Sequence, residues 1–357
     1  MIVIDAHCDS PSQMMRLRDF ARDNDFAQVD FPKMQKGGVS ASFFAAYVPA
    51  SKQGQEATDH AMALLDVLDE QMRRNKDTVA YARCASGVAR NKAAGLISVL
   101  LGLENASAVG HSFEQLKAFY KRGVRYVTLT HSADNQVCDS CTGVGTWGGL
   151  SPFGRLLVPE MNRIGMMIDL AHSSEQTMKD VLELSCKPVA YTHGCCKALA
   201  SHRRNISDDM LIALADNGGV ACMSIYPCFL DDDFVRILDE SGLEEKMWIE
   251  DEFIKDPSDP ARRKAWEELQ MELSSLARPS VSRVVDHIEH AVNVAGIEHV
   301  GIGTDYDGIE VTAAGLESIA DFGRLWDEMG RRGFSAKDQN LIAGKNLLRV
   351  LKEVRRR

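Results

Sequence analysis

Short apolar, β-branched runs recur along the chain, spaced so that a helix fits between most neighbours. Eight stand out: IVIDAH (2–7), VSASFFAAYV (39–48), GLISVLLGLE (95–104), VRYVTLTH (124–131), MMIDLAH (166–172), PVAYTH (188–193), VACMSIYP (220–227) and HVGIGTDYDG (299–308). They are almost continuously apolar rather than alternating, the pattern of strands covered on both faces of a parallel sheet. Between them lie stretches with helical spacing, among them SFEQLKAFYKRG, LLVPEMNRIG and SDDMLIALADNGG. The first and third open on a serine placed to cap and close near glycine. Eight such units predict a closed (β/α)8 barrel of the TIM type. No composition break or low-complexity linker interrupts them, so one domain is expected over residues 1–357. One segment breaks the rhythm. Cys228 to Arg278 is too long and too charged for a simple connection. It predicts a helical insertion after strand seven, over the barrel mouth, as a lid or as a solvated decoration.

The C-terminal ends of these strands carry a second pattern. They finish on His7 and Asp9, then Glu104, His131, His172, His193 and Asp305. Barrel enzymes build their active sites from these ends. His7 and Asp9, two residues apart, point to the same side of a strand. His7, Asp9, Glu104, His172 and His193 are five residues of metal-ligating type. A catalytic zinc takes three protein ligands and keeps one position open. Five are too many for one such ion and suffice for two if a carboxylate bridges, a part that suits Glu104. A pair of ions about 3.5–4 Å apart activates water and polarises a carbonyl, which is hydrolase chemistry. Asp305, in GTDYDG, lies beside strand one in a closed barrel, where it can take a proton from water and pass it to a leaving amine. Asp307 reads as a turn residue with Gly308. His131 can donate to a developing oxyanion, or it is a buried histidine bonded to backbone. In SHRRNI, Arg203 and Arg204 offer a guanidinium fork for a carboxylate.

Composition narrows the field. The net charge is −10 and the one basic block is Arg355–Arg357, so nucleic acid is not an expected partner. No apolar run approaches the roughly 20 residues of a membrane span. Met1 leads into the first strand without the n- and h-regions of a signal peptide, and the charged C-terminus does not read as a lipid-anchor signal. Nine cysteines, an odd number, fit reduced thiols in the cytoplasm. Cys138 and Cys141 form a lone C-x-x-C, whereas a structural zinc site wants a second spaced pair; Cys195 and Cys196 are adjacent.

The stretches DAHCD, LGLENA, RYVTLTHSADN, GLSPFGRLLVPEMNRIGMMIDLAHSS, PVAYTH, SHRRNIS, DHIEHAVNVAGIEHVGIGTDYDG and NLLRV together resemble the membrane (renal) dipeptidase family of zinc peptidases, in the amidohydrolase-like superfamily. The resemblance implies a two-zinc dipeptidase, with other divalent metals acceptable to so carboxylate-rich a site. It places His7 and Asp9 on one ion, Glu104 as bridge, and His172 and His193 on the other. It makes Asp305 the acid/base, His131 the holder of the substrate carbonyl, and Arg204 the grip on the C-terminal carboxylate. It extends the substrates to dipeptides with a D-residue at the C-terminal position. A homodimer rests on the resemblance alone. Two positions depart from the family pattern: Asn105-Ala106 follow the bridging Glu where glycines are usual, and Cys8 follows His7 where Asn is common. The rival readings are a related amidohydrolase acting on another small amide, such as an N-acyl amino acid, and a non-catalytic binding protein.

Overall fold

Each of the eight apolar runs forms a strand in a computed structural model of the chain, which describes residues 1–15, 19–24, 26–256 and 258–355. They are β1 (Ile4–Cys8), β2 (Ala41–Tyr47), β4 (Ile97–Glu104), β5 (Val124–Thr128), β6 (Met167–Asp169), β7 (Ala190–Gly194), β8 (Val220–Met223) and β9 (Val300–Ile302). A short β3 (Val79–Tyr81), too brief to register as an apolar run, pairs with β4 outside the ring. The eight pair in parallel in the order β1-β2-β4-β5-β6-β7-β8-β9. The ring closes where Cys8 bridges Tyr306 and the Asp305 amide donates to the His7 carbonyl at 3.1 Å. This is the expected (β/α)8 barrel.

The helix Asn346–Val354 plugs the floor. Its stripe Leu347, Val350, Leu351 and Val354 repeats at i, i+3, i+4 and i+7, the spacing of one helix face. That stripe packs under inward residues such as Ile4, Phe43, Leu100 and Met167. Ser112 caps its helix by accepting from the Gln115 amide at 3.2 Å; Ser207 sits at the equivalent position but makes no such bond. Among the described residues no helix is long and apolar enough to cross a membrane. Of the terminal arginines, Arg356 and Arg357 lie outside the described residues.

β5, β6 and β9, like β8, stop earlier than their apolar runs. His131, His172 and Asp305 each lie three residues past the last residue of β5, β6 and β9. His172 (φ +66°) and Asp305 (φ +67°) are left-handed, a conformation that cannot continue a strand. The site is therefore partly built on turns at the barrel rim.

The segment after β8 forms helices Pro227–Leu230, Asp232–Ser241, Trp248–Lys255 and Pro260–Ser275. It has a small core of its own, Phe234, Leu238, Leu243, Leu269 and Leu273, leaning on Val311. A second tie is aromatic: Phe253 stacks on Trp266 at 4.7 Å, Phe26 lies against both, and the Arg263 guanidinium sits 4.2 Å over the Phe26 ring.

Candidate metal centre

All five expected ligands converge at the C-terminal end of the barrel, around Glu104. One carboxylate oxygen, Oε2, lies 3.5 Å from His7 Nε2. The other, Oε1, lies 3.0 Å from His172 Nε2 and 3.5 Å from His193 Nε2. Asp9 Oδ2 is 3.3 Å from His7 Nε2, so the His-x-Asp pair does share a side. His131 stands closer than its strand position implied: its Nε2 is 3.9 Å from Glu104 Oε1 and its ring lies 4.1 Å from that of His172. Asp305 Oδ1 is 3.9 Å from His7 Nε2. The donor atoms of His7, Glu104 and His193 lie within 4.8 Å of one another, as do those of Glu104, His131 and His172, and of His7, Asp9 and Asp305.

These donors fit divalent cations. His7 Nε2 and Asp9 Oδ1 are buried with no hydrogen-bond partner. His172 Nε2 and His193 Nε2 face each other at 3.0 Å. Buried lone pairs converging without enough protons to pair them are costly, and a cation relieves that cost. Among the described residues no such cluster forms around Cys138 and Cys141, and all nine cysteines are free.

Burial shapes the titration of the site. It opposes charge on His7, but the adjoining Glu104 and Asp9 carboxylates raise that group well above the ordinary histidine range. Desolvation drives His172 and His193 the other way, assisted by the Arg204 charge. His131 is lowered to about 4 by burial and then by Arg204, so it stays neutral above that. Asp305 is raised to about 6, chiefly by burial.

A cavity of about 340 Å³ opens on this cluster. Asp9, Glu104, His131, His172 and Asp305 form its floor, Tyr47 one wall, and Met247 and Glu250 of the insertion its roof. Two residues of the insertion thus reach the barrel mouth. Asp307 is no simple turn residue. Its carboxylate accepts from Ser10 Oγ at 2.5 Å and from the Gln28 amide at 2.6 Å, pinning the chain at Ser10 and Gln28 to the turn after β9.

Arg203 is exposed; Arg204 is buried in the wall behind the histidines and does not line the cavity. Its Nη2 donates to the His193 carbonyl at 3.1 Å, Nη1 reaches Tyr191 at 3.5 Å, and Nε has no partner. The two departures from the family pattern face away from the cavity. Cys8 contacts Ser42 and the Phe43 carbonyl. Asn105 adopts φ +80°, which Asn tolerates better than most non-glycine residues. Its amide ties Val48, Ser107 and Asn135 together.

The segment 134–149 gave no signal in the sequence, yet it supports the site. Asp134 accepts from the amides of Ser140, Gly145 and Thr146 at 2.8–3.0 Å, and Asp139 from those of Trp147 and Gly149 at 2.9 Å. So ordered, the segment brings the Ser140 hydroxyl to the His131 and His172 carbonyls.

A sequence profile described as membrane dipeptidase (peptidase family M19) matches residues 1–357. The chain belongs to the membrane dipeptidase family. It is a metal-dependent peptidase. A dipeptidase of Clonostachys rogersoniana, verJ, is 32% identical over 339 residues, which cover 92% of this chain and 76% of that one. Two solved structures share the fold. The probable dipeptidase PvdM of Pseudomonas aeruginosa superposes with a TM-score of 0.84 at 23% identity, covering 99% of this chain and 95% of its own. A metallopeptidase of Rhodobacter sphaeroides, liganded with a phosphinate mimic of L-Ala-D-Ala, gives 0.83 at 22%, covering 99% of each.

Proposed function

We propose that this family member is a two-zinc dipeptidase on a single barrel domain, with His7 and Asp9 on one ion, His172 and His193 on the other, and Glu104 between. The observation that carries the reading is the split of the Glu104 carboxylate: Oε2 faces His7 while Oε1 faces His172 and His193. A bridging carboxylate needs its two oxygens turned to two different histidine sets. Bound there, two divalent ions would supply Lewis acidity and a nucleophile from water at neutral pH.

The remaining steps belong to the chain. Asp305, on the rim of the cavity, accepts the proton that water gives up and returns it to the departing amine. Neutral His131 offers a ring N–H to the carbonyl oxygen as its charge grows. Arg204 holds the terminal carboxylate, and the insertion excludes water from above. Nine unpaired thiols support a cytoplasmic setting. The ligand of the Rhodobacter neighbour motivates a panel containing both L,L and L,D dipeptides. Metal-loaded protein should hydrolyse free dipeptides of at least one series and leave N-acyl amino acids largely untouched. The opposite preference moves the protein to the amide-hydrolase reading.

A further inference from the structure

A metal-binding imidazole must present a lone pair, so its proton must sit on the other nitrogen, and whatever faces that nitrogen decides the matter. Behind His193, the Thr192 hydroxyl lies 2.9 Å from Nδ1. The same hydroxyl donates to Asp169 Oδ2 at 2.7 Å, and the Thr128 hydroxyl donates to that oxygen at 2.6 Å. Asp169 Oδ1 accepts the backbone amides of Thr192 at 2.9 Å and Ala171 at 3.1 Å. All these groups are buried.

A hydroxyl has one proton to give. If Thr192 gave it to His193, a bare hydroxyl oxygen would stand 2.7 Å from a carboxylate oxygen, two acceptors in contact. The arrangement that satisfies every group runs one way: His193 Nδ1–H to Thr192, and Thr192 O–H to Asp169. We propose that Thr192 and Asp169 are positioning residues that fix the tautomer of His193, keeping its proton on Nδ1 and its Nε2 lone pair facing Glu104 and His172. The inference rests on reading His193 as a metal ligand.

The same logic gives an asymmetric forecast. Thr192→Val keeps the shape and removes the partner, leaving the proton free to move. Thr192→Ser keeps the hydroxyl. Asp169→Asn goes further. Two backbone amides can only donate, so the Asn carbonyl must face them. Its NH₂ then points at Thr192, whose hydroxyl turns to donate to His193 Nδ1. The imidazole proton is driven to Nε2, where it opposes metal binding.

The test is zinc affinity by competition with a chromophoric chelator, joined to ¹⁵N spectra of the histidine rings in metal-free protein. Thr192→Val should bind about 10- to 100-fold more weakly, the usual effect of removing such a partner. Thr192→Ser should stay close to the parent. Asp169→Asn should lose at least as much as Thr192→Val, and its His193 should carry the proton on Nε2 where the parent carries it on Nδ1. Parental affinity in Thr192→Val, equal losses in Val and Ser, or an Nε2-protonated parent would overturn the proposal. If Asp169→Asn does not fold, the Val and Ser pair decides alone. A parent protein that binds no divalent ion would instead overturn the metal-centre reading itself.

Discussion

Replacing Arg204 with Ala separates two roles that the structure gives this residue. Its Nη2 bond to the His193 carbonyl at 3.1 Å supports the strand carrying a proposed ligand, whereas its Nε has no partner and is free for an anion. A charge-assisted contact to a substrate carboxylate is worth about 1.5–3 kcal/mol, or roughly 10- to 150-fold in kcat/KM at 1.36 kcal/mol per decade. Loss of the support acts on any substrate; loss of the grip acts only on one with a free terminal carboxylate. The assay is therefore a cycle of parent and Arg204→Ala against one dipeptide and its C-terminal amide. The free acid should lose the grip in addition to the support, and the amide only the support. The ratio of the two losses isolates the contact at roughly 10- to 150-fold. Arg204 is buried and off the cavity wall, so the carboxylate must reach it past His172 and His193. Equal slowing of both substrates would refute the grip and leave Arg204 as a support. A parent enzyme that prefers the amide would refute the dipeptidase reading altogether.

Three further outcomes follow from the same geometry. Glu104→Gln should weaken both metal sites together, since one oxygen faces each histidine set; retention of two ions per chain by elemental analysis, with parental activity, rules out the bridge. Asp305 must be ionised to accept a proton, and burial, partly offset by the His7 and Arg204 charges, raises it to about 6, so kcat/KM should fall as pH drops through that region, or lower when bound cations favour the carboxylate. Asp305→Asn should cost about 10²-fold or more across the pH range, whereas a variant of near-parental rate with the same acidic limb would exonerate Asp305. If the insertion closes over substrate, a dipeptide phosphinate should slow proteolysis within 228–278, where Met247 and Glu250 roof the cavity; unchanged cleavage would make it a decoration.

The barrel was legible because its signal is local. Buried parallel strands are apolar on both faces and short, so each announced itself without reference to its neighbours. The charged strand ends were legible for the complementary reason: a carboxylate or imidazole closing an apolar run needs an explanation. What the sequence hid depends on backbone geometry. The rim positions of His172 and Asp305 follow from left-handed turns that no residue type dictates there. Asp134 and Asp139 organise their segment by accepting backbone amides, a pattern invisible until the chain is folded. Arg203 and Arg204 were equivalent in the sequence as a fork for a carboxylate; only the fold exposes the first and buries the second.

The strand irregularities show why the ligands converge at all. The β1–β2 register shifts between Asp5 and Cys8, around His7. The β7–β8 register shifts between Tyr191 and Gly194, around His193. The β4–β5 register shifts at Leu101 and Gly102, just before Glu104. An irregularity of this kind re-aims a side chain that a regular strand would send elsewhere. It also needs room, and two glycines provide it. A Cβ on Gly102 would lie 2.3 Å from the Tyr126 ring, and one on Gly194 would lie 2.3 Å from the Tyr191 hydroxyl. Each tyrosine then uses the space: Tyr126 meets His7 Nδ1 at 2.8 Å, and Tyr191 holds the Arg204 carbonyl. Gly102 and Gly194 thus belong to the site although neither has a side chain to offer. Alanine at either would displace the tyrosine and, through it, the histidine or the arginine. The chemistry at the rim is set by pairs of small and large residues inside the strands, where an apolar run conceals them.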